Sequence, residues 1–117
     1  MTHLFAGEPP AVQWVDKPWG GEYIMRINNA LMKVIRVDDG HRTSLQYHRE
    51  KHEVHWLLNG TGTLEGSPDD IYGRPRPSPP YVMSPGSIHR AVGPLLILEM
   101  STDHPDDVVR LEDDYRR

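Results

Sequence analysis

The sequence contains no cysteine. Disulfides and thiolate ligands are thereby excluded, so any metal bound by this chain must sit on imidazole nitrogen and on oxygen. Also missing is any apolar run near the roughly 18 residues that cross a bilayer as a helix, and the first residues show no basic region followed by an apolar stretch. A cytoplasmic protein is expected. Basic residues are scattered rather than clustered, 13 Lys and Arg against 17 Asp and Glu for a formal net charge of −4. Without a Lys/Arg stripe to neutralise a series of phosphates, nucleic acid is not an expected partner, although a few local cations can still engage one small anion. A second hydrophobic core would need roughly 50 to 100 further residues, so the 117 residues are expected to form one domain, 1–117. Helical periodicity is lacking too: no window longer than about ten residues repeats its apolar positions at 3.6.

What the sequence does have is turns. Eleven prolines and ten glycines punctuate short stretches of β-branched and aromatic residues at 11–15, 22–27, 30–37, 43–48, 53–58, 81–83 and 95–101. Their lengths and spacing read as strands of an all-β sandwich or barrel. Asn28-Asn29 predicts a tight hairpin, and Asp38-Asp39-Gly40 a reverse turn with positive φ, each joining antiparallel neighbours. Residues 106–117 are too charged and β-branched to assign to a helix. The segment 66–80, GSPDDIYGRPRPSPP, cannot be a central strand, because proline donates no ladder hydrogen bond. It is expected to be a surface connection or a lid.

Chemistry concentrates in one region. His41, His48, His52 and His55 fall within fifteen residues, beside Gln46, Glu50 and Glu53. On a strand through 43–48, Gln46 and His48 are two apart and project to one face. A turn at 49–52 returns the chain, so that Glu53 opens the next strand opposite that pair. His89, following the turn Ser84-Pro85-Gly86, is the candidate to close the set from across the barrel. Imidazole, carboxylate and amide oxygen together suit one borderline divalent ion: Zn, Mn, Fe, Ni or Co. His55 shares the strand parity of Glu53, so it either orients a ligand or, like His52, faces solvent. Lys33, between Leu31 and Ile35, points into the barrel if those residues do; an anion partner is then expected for it.

These residues carry a resemblance. Gly40, Gln46-Tyr47-His48, Glu53 and Gly60 resemble the first cupin motif, with Gln at the place of the usual first His, and Pro85-Gly86-Ser87-Ile88-His89 resembles the second. Lys17-Pro18-Trp19-Gly20, Lys33, Thr43-Ser44-Leu45-Gln46 and the tail from Asp106 to Arg116 are similar to the cupin domain of type II phosphomannose isomerases. The resemblance runs from about residue 14 to the C-terminus. It departs at Ser84-Pro85-Gly86, in the long proline-rich segment, and at His52, Val54 and His55, which displace the His-Trp pair following the ligand glutamate by one residue.

The resemblance implies a single-domain cupin, a conical antiparallel β-barrel or jelly roll, with metal ligands Gln46, His48, Glu53 and His89. It further implies a metal-dependent aldose–ketose isomerase of a phosphorylated hexose, like mannose-6-phosphate isomerase. Arg42 and Lys33 match its basic catalytic positions, while Arg90 and Arg110 are candidates for phosphate or, equally, for ion pairs with the acidic tail. The general base stays open among Glu50, Lys51 and His52. Another cupin of a sugar-nucleotide or natural-product pathway, an iron-dependent oxygenase included, is the enzymatic alternative; a sugar-binding or regulatory module is the non-catalytic one. Small core size, with Trp14 and Trp19 near the N-terminus, points to a homodimer.

Overall fold

The computed structural model describes residues 11–66 and 80–115. The proline-rich connection, apart from its two ends, lies outside the described residues, and so does the expectation that it is a lid. Among the described residues ten strands form: β1 (Val12–Lys17), β2 (Gly20–Ile27), β3 (Ala30–Val37), β4 (Leu45–Tyr47), β5 (Glu53–Asn59), β6 (Thr63–Gly66), β7 (Tyr81–Met83), β8 (His89–Val92), β9 (Leu95–Thr102) and β10 (Val109–Glu112). They make a six-stranded sheet, β1-β2-β3-β9-β5-β7, and a four-stranded one, β10-β4-β8-β6, with every pairing antiparallel. No described helix is long and apolar enough to cross a membrane.

Alternation explains the layering. In β9, Leu95, Ile97, Glu99 and Ser101 are buried while the residues between them are half-buried or exposed, as a period of two requires. Cross-strand register divides this inner face into two zones. Val37 pairs with Leu95, and Ile35 with Ile97, which also faces Leu57; these rows are apolar. The next rows are Lys33–Glu99–His55–Tyr81 and Leu31–Ser101–Glu53–Met83. One end of the barrel is therefore a hydrophobic plug, and the other carries charge. The apolar core gathers Trp19, Ile35, Val37, Leu64, Ala91, Leu95 and Ile97, joined by Tyr81 and Met83 from the ends of the charged rows. Each large apolar side chain fully buried there contributes about 1.5–3 kcal/mol.

The Asn28-Asn29 turn is the expected tight one: Ile27 pairs with Ala30, and Asn28 has φ 52°. Gly40 has the positive φ foreseen, 78°, and the amide of His41 donates to the Asp38 carbonyl at 3.0 Å. The antiparallel pairing expected across that turn does not form, because β3 is already flanked by β2 and β9 and the chain instead crosses to the four-stranded sheet. Strands β6 and β10 were not in the sequence expectation, and β8 was expected only as the strand that follows Ser84-Pro85-Gly86 and carries His89. Each has only four residues, too few to show alternation. Gly20 sits where two segments touch: its φ is 151°, and a Cβ would lie 2.0 Å from the Arg36 carbonyl oxygen.

Candidate metal centre

Inside the charged end, β4 and the turn after it, β5 and β8 deliver His48, Glu53 and His89 to one point. All three are buried, and one ligand atom from each lies within 4.8 Å of the others. His89 Nε2 is 3.9 Å from Glu53 Oε1, and His48 Nε2 touches the same oxygen. The other nitrogen of each ring is taken by a backbone carbonyl, Asp107 for His48 and Ser87 at 2.9 Å for His89. A carbonyl only accepts, so Nδ1 carries the proton in both rings and the Nε2 lone pairs turn inward.

That arrangement tests whether a divalent metal fits. His48 Nε2 and Glu53 Oε1 are buried with no hydrogen-bond partner, a costly condition unless something positive sits among them. Burial alone would lower the His48 pKa, yet its contact with Glu53 outweighs burial and the net shift is upward. His89 moves the other way, lowered by burial. A proton can satisfy His48 and Glu53 but leaves His89 a bare acceptor; a divalent ion satisfies all three. Imidazole nitrogen held by an outer carbonyl, with carboxylate oxygen, is a donor set for such ions.

Gln46 lines the same cavity and is paired in register with His89, with Oε1 accepting from Ser44 Oγ at 2.6 Å. Its second lone pair leaves it able to ligate. The cavity, about 120 Å³, is also lined by Lys17, Trp19, Glu22, Lys33, Lys51, Glu99 and Arg110. Lys33 is inside as its parity required, Nζ 3.3 Å from Glu22 Oε1, with Lys17 Nζ at 3.8 Å from the same oxygen. Burial works against the Lys33 charge, but Glu99 and Glu22 more than compensate and raise its pKa. Arg110 enters from β10, opposite Gln46.

Arg42 and Arg90 are not brought to this cavity. Arg42 is half-exposed and forms a bidentate pair with Asp114, at 2.7 and 3.0 Å. Arg90 is buried but turned to the Thr43 carbonyl, at 3.2 Å, and towards Glu112 at 3.5 Å. The Arg-rich positions lie on the outward side of the four-stranded sheet because alternation on β8 gives the inner face to His89 and Ala91. Among the base candidates, Lys51 lines the cavity, whereas Glu50 and His52 are exposed.

Three further participants adjoin these residues: His55, for which the sequence left two readings open, and Glu99 and Asp107, which it did not single out. His55 Nε2 is 2.7 Å from Glu53 Oε2 and 3.1 Å from Glu99 Oε1. Despite complete burial, which opposes its charge, these two carboxyls push the His55 pKa up to about 9. Burial, then the Glu53 charge, raises Glu99, while Glu53 is held well below its usual range by its contacts with Glu99, His48 and His55, which overcome its own burial. Glu99 was discoverable: it continues the buried series Leu95, Ile97 in β9. Asp107 is the third. Its carboxylate accepts from the amides of Arg49 (3.0 Å), Glu50 (2.7 Å) and Lys51 (2.9 Å), tying down the turn between His48 and Glu53.

Two antiparallel sheets closed around inward histidines and a glutamate, with a plug at one end, are the architecture of a cupin. Solved structures agree on that fold. The chain is similar to the nucleoside dehydratase Pac13 (TM-score 0.70, 10% identity, 92% of this chain and 93% of that one), to KdgF from Halomonas sp. (0.63, 18%, 80% and 88%), and to a cupin-2 domain from Rhodospirillum rubrum (0.60, 16%, 94% and 80%). No protein-family model and no curated protein matches the chain.

Proposed function

We propose that the chain is a metal-dependent enzyme acting on a small anionic sugar, and specifically an aldose–ketose isomerase of a phosphorylated hexose similar to mannose-6-phosphate isomerase. The observation that carries the reading is the convergence of His48 Nε2, Glu53 Oε1 and His89 Nε2, without a shared proton donor, on a cavity walled by lysines and an arginine. Similarity to a protein described as a nucleoside dehydratase supports chemistry on a sugar-bearing substrate.

A divalent metal on His48, Glu53 and His89, with Gln46 beside them, would supply Lewis-acid stabilisation of charge developing on a substrate oxygen. Glu22, whose Oε1 faces the cavity between Lys33 and Lys17, is the carboxylate not engaged with the ligand set and takes the proton next to the substrate carbonyl. Lys33 and Arg110 hold the substrate's negative charge. Arg42 and Arg90, in this reading, fasten the C-terminal segment to the four-stranded sheet. The cavity of about 120 Å³ is below the roughly 300–1,000 Å³ of sites that engulf a drug-sized ligand, so it accepts the reacting end of a sugar and leaves the phosphate at the mouth. That size also suits the second reading, a module that binds a sugar without converting it.

The reading further includes a cytoplasmic homodimer. The outward face of the six-stranded sheet carries two unbroken cross-strand rows, Trp14–Tyr23–Val34–Leu98–Trp56 and Val12–Met25–Met32–Met100–Val54–Val82. Apolar residues spread across a whole sheet face mark a protein interface, and a second copy of the same face is its simplest occupant.

A coupled assay for fructose 6-phosphate from mannose 6-phosphate, with glucose 6-phosphate as alternative, tests the function. Turnover should vanish with a chelator and return with added metal, and Arg110→Ala should raise KM with little change in kcat. Metal-loaded protein that is inactive on every phosphohexose, yet binds a nucleotide-linked or unphosphorylated sugar, would replace the isomerase with the alternative cupin reading.

A further inference from the structure

We infer that His55, itself held by Glu99, clamps one oxygen of Glu53, so that this carboxylate meets the metal through its other oxygen alone. The inference rests on the metal-centre reading and goes beyond it by assigning two positioning residues. Glu53 and His55 are two apart on β5 and so share a face, and Glu99 is His55's register partner on β9. His55 Nε2 lies 2.7 Å from Glu53 Oε2 and 3.1 Å from Glu99 Oε1, so the N–H at Nε2 is directed at the pair. Glu53 Oε1, by contrast, has no hydrogen-bond partner and faces His48 and His89. The two oxygens of one carboxyl are thus assigned to different neighbours. Held in this way, Glu53 cannot rotate to chelate the ion with both oxygens, and a coordination position that a bidentate glutamate would fill is kept for substrate.

The same side chains could be read as a second cation site, since Glu53, His55 and Glu99 also bring three ligand atoms within 4.8 Å. Charge argues against it. Lys51 Nζ is 3.9 Å from Glu53 Oε1 and 3.7 Å from Glu99 Oε2, and Lys33 is Glu99's register partner on the other side. A second divalent ion would be placed among buried ammonium groups that already balance these carboxyls.

Cobalt(II) titration of the metal-free protein, followed by its absorption spectrum and by X-ray absorption, tests the clamp. His55→Ala should weaken cobalt binding about 10- to 100-fold and change the spectrum towards a bidentate carboxylate. His55→Gln, which keeps an N–H donor, should recover much of the affinity and the wild-type spectrum; Glu99→Leu should fall between. Thermal melting of the Gln variant, near in size to histidine, guards against misfolding as the cause. If wild type binds one equivalent and His55→Ala binds it with unchanged affinity and spectrum, the clamp is wrong while the centre stands. Two equivalents in wild type, the second lost in Glu99→Leu, would overturn the clamp in favour of a second ion. If wild type binds no cobalt, the metal-centre reading falls first.

Discussion

Asp107 shows how a residue outside the candidate ligands positions them. Its carboxylate collects the amides of Arg49, Glu50 and Lys51, and its carbonyl faces His48 Nδ1. Those amide bonds hold its pKa at about 2, against roughly 3.9 for an unfolded aspartate. A depressed carboxyl stabilises the fold above the unfolded value, and that stabilisation is lost as pH falls from roughly 4 towards 2. Thermal midpoints of metal-free protein should therefore drop across this window, and the drop should be shallower in Asp107→Asn; equal slopes would contradict the role given to the carboxylate. The meeting of His48 and Glu53 was legible because spacing and strand parity act locally, and that of His89 because the Pro85-Gly86-Ser87-Ile88-His89 motif marks it. Asp107 was not, because only the fold brings it from 59 residues away. Arg42 and Arg90 show the reverse: a basic residue at a suggestive position is turned by alternation to Asp114 or to Thr43.

At the scale of elements, the inner faces of β5 and β9 change from apolar to polar along their length, while β3 brings Lys33 in between Ile35 and Leu31. Ile97, 1% exposed and paired with Ile35 and Leu57, belongs to the plug and, without a ligand atom of its own, forms part of the cavity wall. Ile97→Ala should cost about 2–5 kcal/mol in denaturant unfolding with metal content unchanged; loss of metal at intact stability would show that the two zones are not separate. Long strands announced themselves through β-branched and apolar alternation, which is why β2, β3, β5 and β9 were foreseen. β6 and β10 have four residues each, and their pairing with distant neighbours, not their composition, makes them strands. The Asp38-Asp39-Gly40 turn gave its φ but not its destination, since turn chemistry says nothing about which sheet the chain enters next.

For the whole molecule, the outward rows of the six-stranded sheet predict a dimer by light scattering, and Met100→Lys, in the middle of the second row and 41% exposed, should shift it to monomer without altering the barrel's circular dichroism. A wild-type monomer at micromolar concentration would contradict that face as an interface. The central claim is the metal centre itself, and elemental analysis of protein prepared with several divalent metals available tests it most directly. The account predicts close to one divalent ion per chain in the wild type and its loss in His48→Ala and in His89→Ala; a wild type without metal, or variants with undiminished metal, would contradict it.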